Sequence, residues 1–353
     1  MMDKIQLVNA IKGGSELPII SELDLSNNDY QGSDLSGGMF NKVNFTSSNF
    51  SGCNLKECSF VDCDFTQANL SQADFSLASF INPVFDRSLL VNSIFGYSNF
   101  VDASFVGADF SGSNLKNTSF INPNMTDVCM VGIETENSNF LNAKLNNADF
   151  SQSKQFRSNF LEPELKDIKF MGAVLDMVFF MKADLSNYDF SNLTLKMCQF
   201  NETKLVNAKF SKLDISQCGF TNAELTGADF TESIVNNCLF IEANIKGGIF
   251  FKAEAKQALF NESNVSFCDF RNTKMEQAQF TSSNCNGALF TKADLTYVDF
   301  SHANLDEALI DNAKLYRANL HEISDYKTNW QDSNKIEALA TDEKKAKAEK
   351  FIA

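Results

Sequence analysis

The sequence predicts an all-β fold, a quadrilateral parallel β-helix of about fifteen coils with a helical segment at each end. Two observations carry this: a five-residue period of large apolar residues, and a small residue two places before each of them. The large residues run from Leu25 through Tyr30, Leu35, Phe40, Phe45, Phe50, Leu55, Phe60, Phe65, Leu70, Phe75 and Phe80, and the register holds to Leu320. The small residues include Ala68, Ala73, Ala78, Ser93, Ser98, Ala103 and Ala108, and the position between the two is often Asp or Asn, as at Asn69, Asp74, Asn99 and Asp109.

A period of five is neither the 3.6 of a helix nor the 2.0 of a strand. It requires a backbone that turns about a right angle every five residues, so that four pentapeptides close one square coil. The large residue (position i) and the small one (i−2) then face inward, and i−1, i+1 and i+2 face outward. Coils stacked at about 4.8 Å would make a rod roughly 70 Å long.

Segments such as QANLS, QADFS, GADFS, KADLT and HANLD resemble the pentapeptide-repeat family, whose consensus is A(D/N)LXX. The resemblance covers the chain from about Leu25 to Leu320. It implies a right-handed coil, which the period alone does not show. It implies little about function, because function resides in sites rather than in folds. The expected boundaries are an N-terminal helical cap over 1–20, the β-helix over 21–325 and a C-terminal helical cap or tail over 326–353.

Sorting the chain by twenty separates four interior columns. One has Phe at every coil from Phe40 to Phe300, and another, half a coil away, carries Phe150 through Phe290. The intervening faces change from Phe45, Phe65, Phe85 and Phe105 to the Leu residues from Leu145 to Leu225. Cys53, Cys58, Cys63, Cys198, Cys218, Cys238 and Cys268 fall at i−2 and Cys285 at i, where a thiol serves as a small hydrophobe; Cys129 alone falls outward, at i−1. Pro83, Pro123 and Pro163 fall at i−2 of one column and read as a tolerated tight corner. Thr135 and Gln155 are polar at consecutive i positions, which predicts a bulge that turns Phe156 inward in place of Gln155.

Function must come from outward positions. Following the Phe column, i+1 is apolar for seven coils: Val61, Ile81, Val101, Ile121, Leu141, Leu161 and Met181. Asp62, Asp102 and Glu162 flank it at i+2. Such a ladder marks a candidate interface, either a homodimer seam or a site for another protein.

The formal charge of −15 disfavours direct binding of nucleic acid or anionic membranes. The acids are unevenly placed: residues 21–120 hold 11 acidic and 4 basic side chains, and residues 121–220 hold 12 and 10. The first residues lack the basic and continuous apolar regions of a signal peptide, and no stretch reaches the roughly 20 apolar residues of a membrane span, so a cytoplasmic protein is expected. Residues 3–12, with Ile5, Leu7, Val8 and Ile11, predict a cap helix stopped at Gly13 and Gly14. A second helix is expected after Trp330, docked by Ile336, Leu339 and Ala340, and in some members of the family such an element mediates dimerisation.

His302 and His321 are the only histidines, and the repeat places no nucleophile beside them. GGSELP and SGGM match no phosphate-binding loop. No catalytic residue, cofactor site or metal site is expected. The leading reading is a protein-binding or scaffold rod. The alternative is a DNA mimic of the quinolone-resistance type, which the resemblance would direct to DNA gyrase. Against mimicry stand the greater length, the absence of loop insertions, and a basic middle of Lys154, Arg157, Lys166, Lys169, Lys204, Lys209 and Lys212. A secreted bacterial effector acting on a host protein is a third reading, with no secretion signal legible.

Overall fold

A computed structural model describes residues 3–13 and 19–350; Gly14, half of the expected helix stop, lies outside them. The repeat forms a right-handed parallel β-helix. Its stability begins with the five backbone N–H groups of each pentapeptide, every one of which needs an acceptor. Residues 65–70 show the pattern. The N–H groups of Phe65 and Gln67 donate forward to Val84 and Asp86, that of Asn69 donates back to Ser48, and that of Ala68 closes the corner onto Phe65. Thr66 is left over, and its N–H goes to the side chain of Asp64 at 2.8 Å. The same bond recurs from Ser71 to Asn69 and from Ser76 to Asp74. The Asp or Asn at i−1 is therefore a structural acceptor. The i+2 residue turns the corner at positive φ, for example 59° at Gln67 and 60° at Gln72.

The described residues belong to two compact units, Met1–Ala183 and Asp184–Ala353. In the first, helix α1 (Lys4–Lys12) precedes nine parallel strands stacked in one sheet. These are β1 (Ile19–Ser21), β2 (Met39–Asn41), β3 (Ser59–Val61), β4 (Ser79–Ile81), β5 (Asn99–Val101), β6 (Ser119–Ile121), β8 (Asn139–Leu141), β10 (Asn159–Leu161) and β12 (Phe179–Met181). On a second face β9 (Lys154–Phe156) pairs with β7 (Glu134–Glu136) and β11 (Val174–Asp176). The regular sheet spans nine turns of the first unit, and elsewhere coils are joined by single bridges twenty residues apart, such as Asp64 to Val84 and, in the second unit, Asn319 to Leu339.

Helix α1 buries Leu7 and Ile11, while Ile5 is exposed. Asp3 and Gln6 form a reciprocal cap at its start. Lys12 Nζ donates to the Ser36 carbonyl and hydroxyl at 3.0 and 2.7 Å, tying the helix to the wall.

Along the nine-stranded sheet the corner is open. Cys63, Ala103 and Ala143 follow their strands without the corner N–H bond that Ala68 makes. This accounts for Pro83, Pro123 and Pro163, which occupy that same column: proline lacks only the donor this corner does not use. The strands that precede the prolines, β4, β6 and β10, keep their register.

Inside, rings one coil apart lie nearly parallel. Phe40 through Phe180 stack at centroid separations from 4.3 to 5.2 Å, set by the strand spacing. The neighbouring Phe45, Phe65, Phe85 and Phe105 meet them edge-on, as Phe60 meets Phe65 at 5.2 Å and 76°, a favoured aromatic geometry.

The expected bulge at Gln155 is absent. Thr135 pairs with Gln155, and Glu136 with Phe156, in unbroken register. Gln155 is 2% exposed and points inward, whereas Phe156 stays outside beneath the Arg157 guanidinium at 4.7 Å. A bulge would break ladder bonds on both sides; the chain instead satisfies Gln155 in part, through Nε2 to Ser153 Oγ at 3.2 Å, and leaves Oε1 without a partner. Ser158 donates to Thr135 Oγ1 at 2.8 Å in the same layer.

In the second unit two phenylalanine columns face each other. Phe190 to Phe290 and Phe200 to Phe300 stack at 4.4 to 5.2 Å within a column and meet edge-on between columns, as Phe210 meets Phe220 at 5.6 Å. The coil register persists to Leu339, which bridges to Asn319. This corrects the reading of the C-terminus. Ile336 lies in a short 3-10 helix, Lys335–Glu337, set into the last coil, and Leu339 takes an i−1 position; both are exposed, as is Ala340. Only the short helix α2 (Glu343–Glu349) follows, and it docks through Ala346.

Two results are expected in denaturant unfolding. Ala68→Pro removes the bond to the Phe65 carbonyl and should cost about 1–3 kcal/mol, whereas Ala103→Pro at the open corner should cost under about 0.5 kcal/mol. Gln155→Leu, which removes an unpaired buried acceptor, should stabilise the chain by about 1–3 kcal/mol.

Candidate interaction surface

The ladder residues sit side by side. Val61, Ile81, Val101, Ile121, Leu141, Leu161 and Met181 are directly paired from β3 to β12. Each side chain leans on the next, so most are half-buried, and Ile81 is 44% exposed. The flanking i+2 residues form a hydrogen-bonded rail: Asn82 Nδ2 donates to Asp62 and Asn122 Nδ2 to Asp102, both at 3.0 Å. Lys182 Nζ meets Glu162 at 2.9 Å. Asn tolerates the left-handed corner better than most residues, and its amide spans one coil to the carboxylate. The acidic rim is therefore partly engaged within the wall.

At the β12 end the ladder widens. Phe179, 43% exposed, joins Leu161 and Met181 around a shallow depression of about 180 Å³. The sequence reading missed Phe179 because it stands at i−1, where Asn or Ser is usual; the departure from the repeat was the available signal. Leu77, Ile94 and Tyr97 are also exposed, on a different face of the unit, and the sequence reading did not single them out either.

Inward cysteines are free thiols. Cys53 donates to the Tyr30 carbonyl at 2.9 Å and Cys58 to Leu35 at 3.1 Å. Burial pushes the Cys53 thiol up to about 11 and that of Cys58 up to about 12, which suppresses the reactive thiolate. Cys129, half-buried, lies 3.2 Å from Ser111 Oγ. The i−1 acids are likewise structural: the backbone N–H of Ser191 holds Asp189 below the ordinary carboxylate range.

The two histidines, beside which the sequence placed no nucleophile, come together with a carboxylate. His302 and His321 meet edge-to-face at 5.3 Å, and Glu349 of α2 reaches both. No spacing rule links Glu349 to the repeat, so this cluster was invisible in the sequence. No described helix is long and apolar enough to cross a membrane.

Coils paired twenty residues apart around a filled, four-sided interior define a parallel β-solenoid. A family profile described as pentapeptide repeats matches residues 20–56, 58–96, 98–133, 183–222, 274–312 and 283–322, and the chain belongs to that family. A solved structure of QnrB1, a plasmid-mediated fluoroquinolone resistance protein, is 15% identical over 57% of this chain and 91% of its own, with a TM-score of 0.32. HetL, a pentapeptide repeat protein involved in heterocyst differentiation regulation in Nostoc sp. strain PCC 7120, is 13% identical over 91% of each chain, with a TM-score of 0.14. A pentapeptide repeat protein from the Arabidopsis thaliana thylakoid lumen is 22% identical over 32% of this chain and 71% of its own, with a TM-score of 0.23. A comparison with curated proteins finds no match.

With iodoacetamide near pH 8, mass spectrometry of the native chain should show rapid modification at Cys129 alone, and denaturation should open all nine thiols. Fast native labelling of Cys58 or Cys238 would contradict the burial described.

Proposed function

We propose that the chain is a non-enzymatic protein-binding scaffold whose contact face is the apolar ladder of the first unit. The observation that carries this is the unbroken line of seven apolar side chains on paired strands. At i+1 of another column the same unit carries Ser51, Ser71 and Ser111, so apolar character there is not demanded by the coil. The ladder is about 30 Å long at the strand spacing, with Phe179 thickening one end. Contact with another protein or a second copy would withdraw this strip from water.

A second reading, a DNA mimic acting on DNA gyrase, is favoured by the charge of −15 and by membership of a family that includes a fluoroquinolone resistance protein. It is weakened by the use of so many acids as turn acceptors, as at Asp64, Asp74 and Asp109. Secretion as an effector has no separate support.

The test compares wild type with Ile121→Lys and Leu141→Lys. Sedimentation and pull-down should show an association that both variants lose by at least tenfold with unchanged circular dichroism. An association equally strong in both variants would remove the ladder from consideration. In parallel, inhibition of gyrase supercoiling at micromolar protein, undiminished in the variants, would put mimicry first.

A further inference from the structure

The end of the second unit brings together three ligand-bearing side chains from separate elements. His302 occupies a left-handed corner, with φ of 60°. His321 lies in the outward i+1 position of the next coil, yet it is 2% exposed, and Ser301 one coil before it is buried too. Glu349, the last residue of α2, reaches across both rings. Its Oε2 is 3.0 Å from His321 Nε2 and 3.5 Å from His302 Nε2. The ligand atoms of all three lie within 4.8 Å of one another.

Zinc held tetrahedrally by nitrogen and oxygen at about 2.0–2.1 Å sets neighbouring ligand atoms about 3.3 Å apart. The separations at Glu349 bracket that value, and the ring nitrogens of the two histidines, which lie within 4.8 Å of each other, draw together to meet it when an ion binds. We infer that His302, His321 and Glu349 form a binding site for a divalent first-row transition metal. Two imidazoles with one carboxylate suit zinc and its neighbours rather than calcium or magnesium, which prefer oxygen alone. Part of the coordination sphere stays open, because the His302 and Glu349 side chains are 38% and 36% exposed.

Two groups oppose the ion and shape how it binds. The backbone N–H of Asp342 donates to His321 Nδ1 at 3.1 Å. In the metal-free chain the ring proton therefore sits on Nε2, directed at Glu349. A metal at Nε2 requires that proton on Nδ1 instead, a change of tautomer with no net proton release, and the Asp342 bond is given up. Asp342 is also the cap of α2, accepting from the N–H groups of Lys344 and Lys345. Metal entry thus costs the tie from the start of α2 to His321 while fixing the last residue of the helix to the wall. The second opponent is Lys345, whose Nζ stands 3.5 Å from Glu349 Oε1 and competes for the carboxylate. This inference is independent of the ladder and its partner.

The test titrates chelator-treated full-length chain with Zn²⁺ by calorimetry, and then with Co²⁺ followed by visible absorption. One equivalent should bind, with a Co²⁺ band of tetrahedral nitrogen and oxygen ligation, and excess Mg²⁺ should not compete. Glu349→Gln and His302→Asn should each weaken binding at least tenfold; Asn suits the left-handed corner, and neither change should shift thermal unfolding of the metal-free chain. Absence of saturable binding overturns the site, as does one-equivalent binding retained in both variants, which would place the ion on other carboxylates. Should a variant fold poorly, the wild-type Co²⁺ spectrum decides, and lack of a tetrahedral band counts against the site.

Discussion

Away from the open corners, a pentapeptide such as 65–69 offers five backbone donors, and neighbouring coils with the corner together accept four of them. The fifth, at i+1, is met by the Asp or Asn side chain two residues earlier, as at Asp64 with Thr66 and at Asp109 with Ser111. Where i−1 is Asp or Asn, that bond supplies the acceptor the i+1 donor would otherwise lack, and a donor left unpaired costs stability even where half-exposed. The small i−2 residue and the left-handed i+2 corner follow from the same path: the backbone must bend within two residues, beside a ring that fills the interior. The chain then repeats this solution so regularly that rings stack on rings at the spacing of the strands.

Because the acid at i−1 serves the backbone, charge is a poor guide to partners in this protein. A carboxylate such as Asp74 accepts from Ser76 and also pairs with Lys56 at 3.0 Å. Departures from the repeat are more telling. Val61 through Met181 at i+1, and Phe179 at i−1, put apolar side chains where the coil is equally content with serine.

The fold was legible because period five leaves little choice of backbone, and columns of Phe and of inward Cys could be assigned by counting. Gln155 shows where counting failed: a buried amide suggested a bulge, but register is shared with neighbours on both sides, so the local misfit is absorbed by Ser153 instead. The C-terminus failed for a related reason. Ile336 and Leu339 look like a helical stripe in isolation, whereas the chain gives them only a single 3-10 turn at Lys335–Glu337 within the register of the coil, and both face outward. The candidate ladder was readable as a column, while the His302, His321 and Glu349 cluster was not, because α2 returns to the wall by a path that no repeat encodes.

The column structure also bears on how such a chain can lengthen or shorten. Within a unit every side chain answers to the residue twenty places away, so duplication or loss of one whole coil leaves each wall with its chemistry intact. An insertion of five residues would keep the interior equally well filled but rotate everything beyond it by a quarter turn, and a strip such as Val61–Met181 would be split between two faces. Genetic drift in coil number is therefore compatible with a retained surface only in steps of a full circuit, and the contact face, rather than the core, is what sets the unit of inheritance.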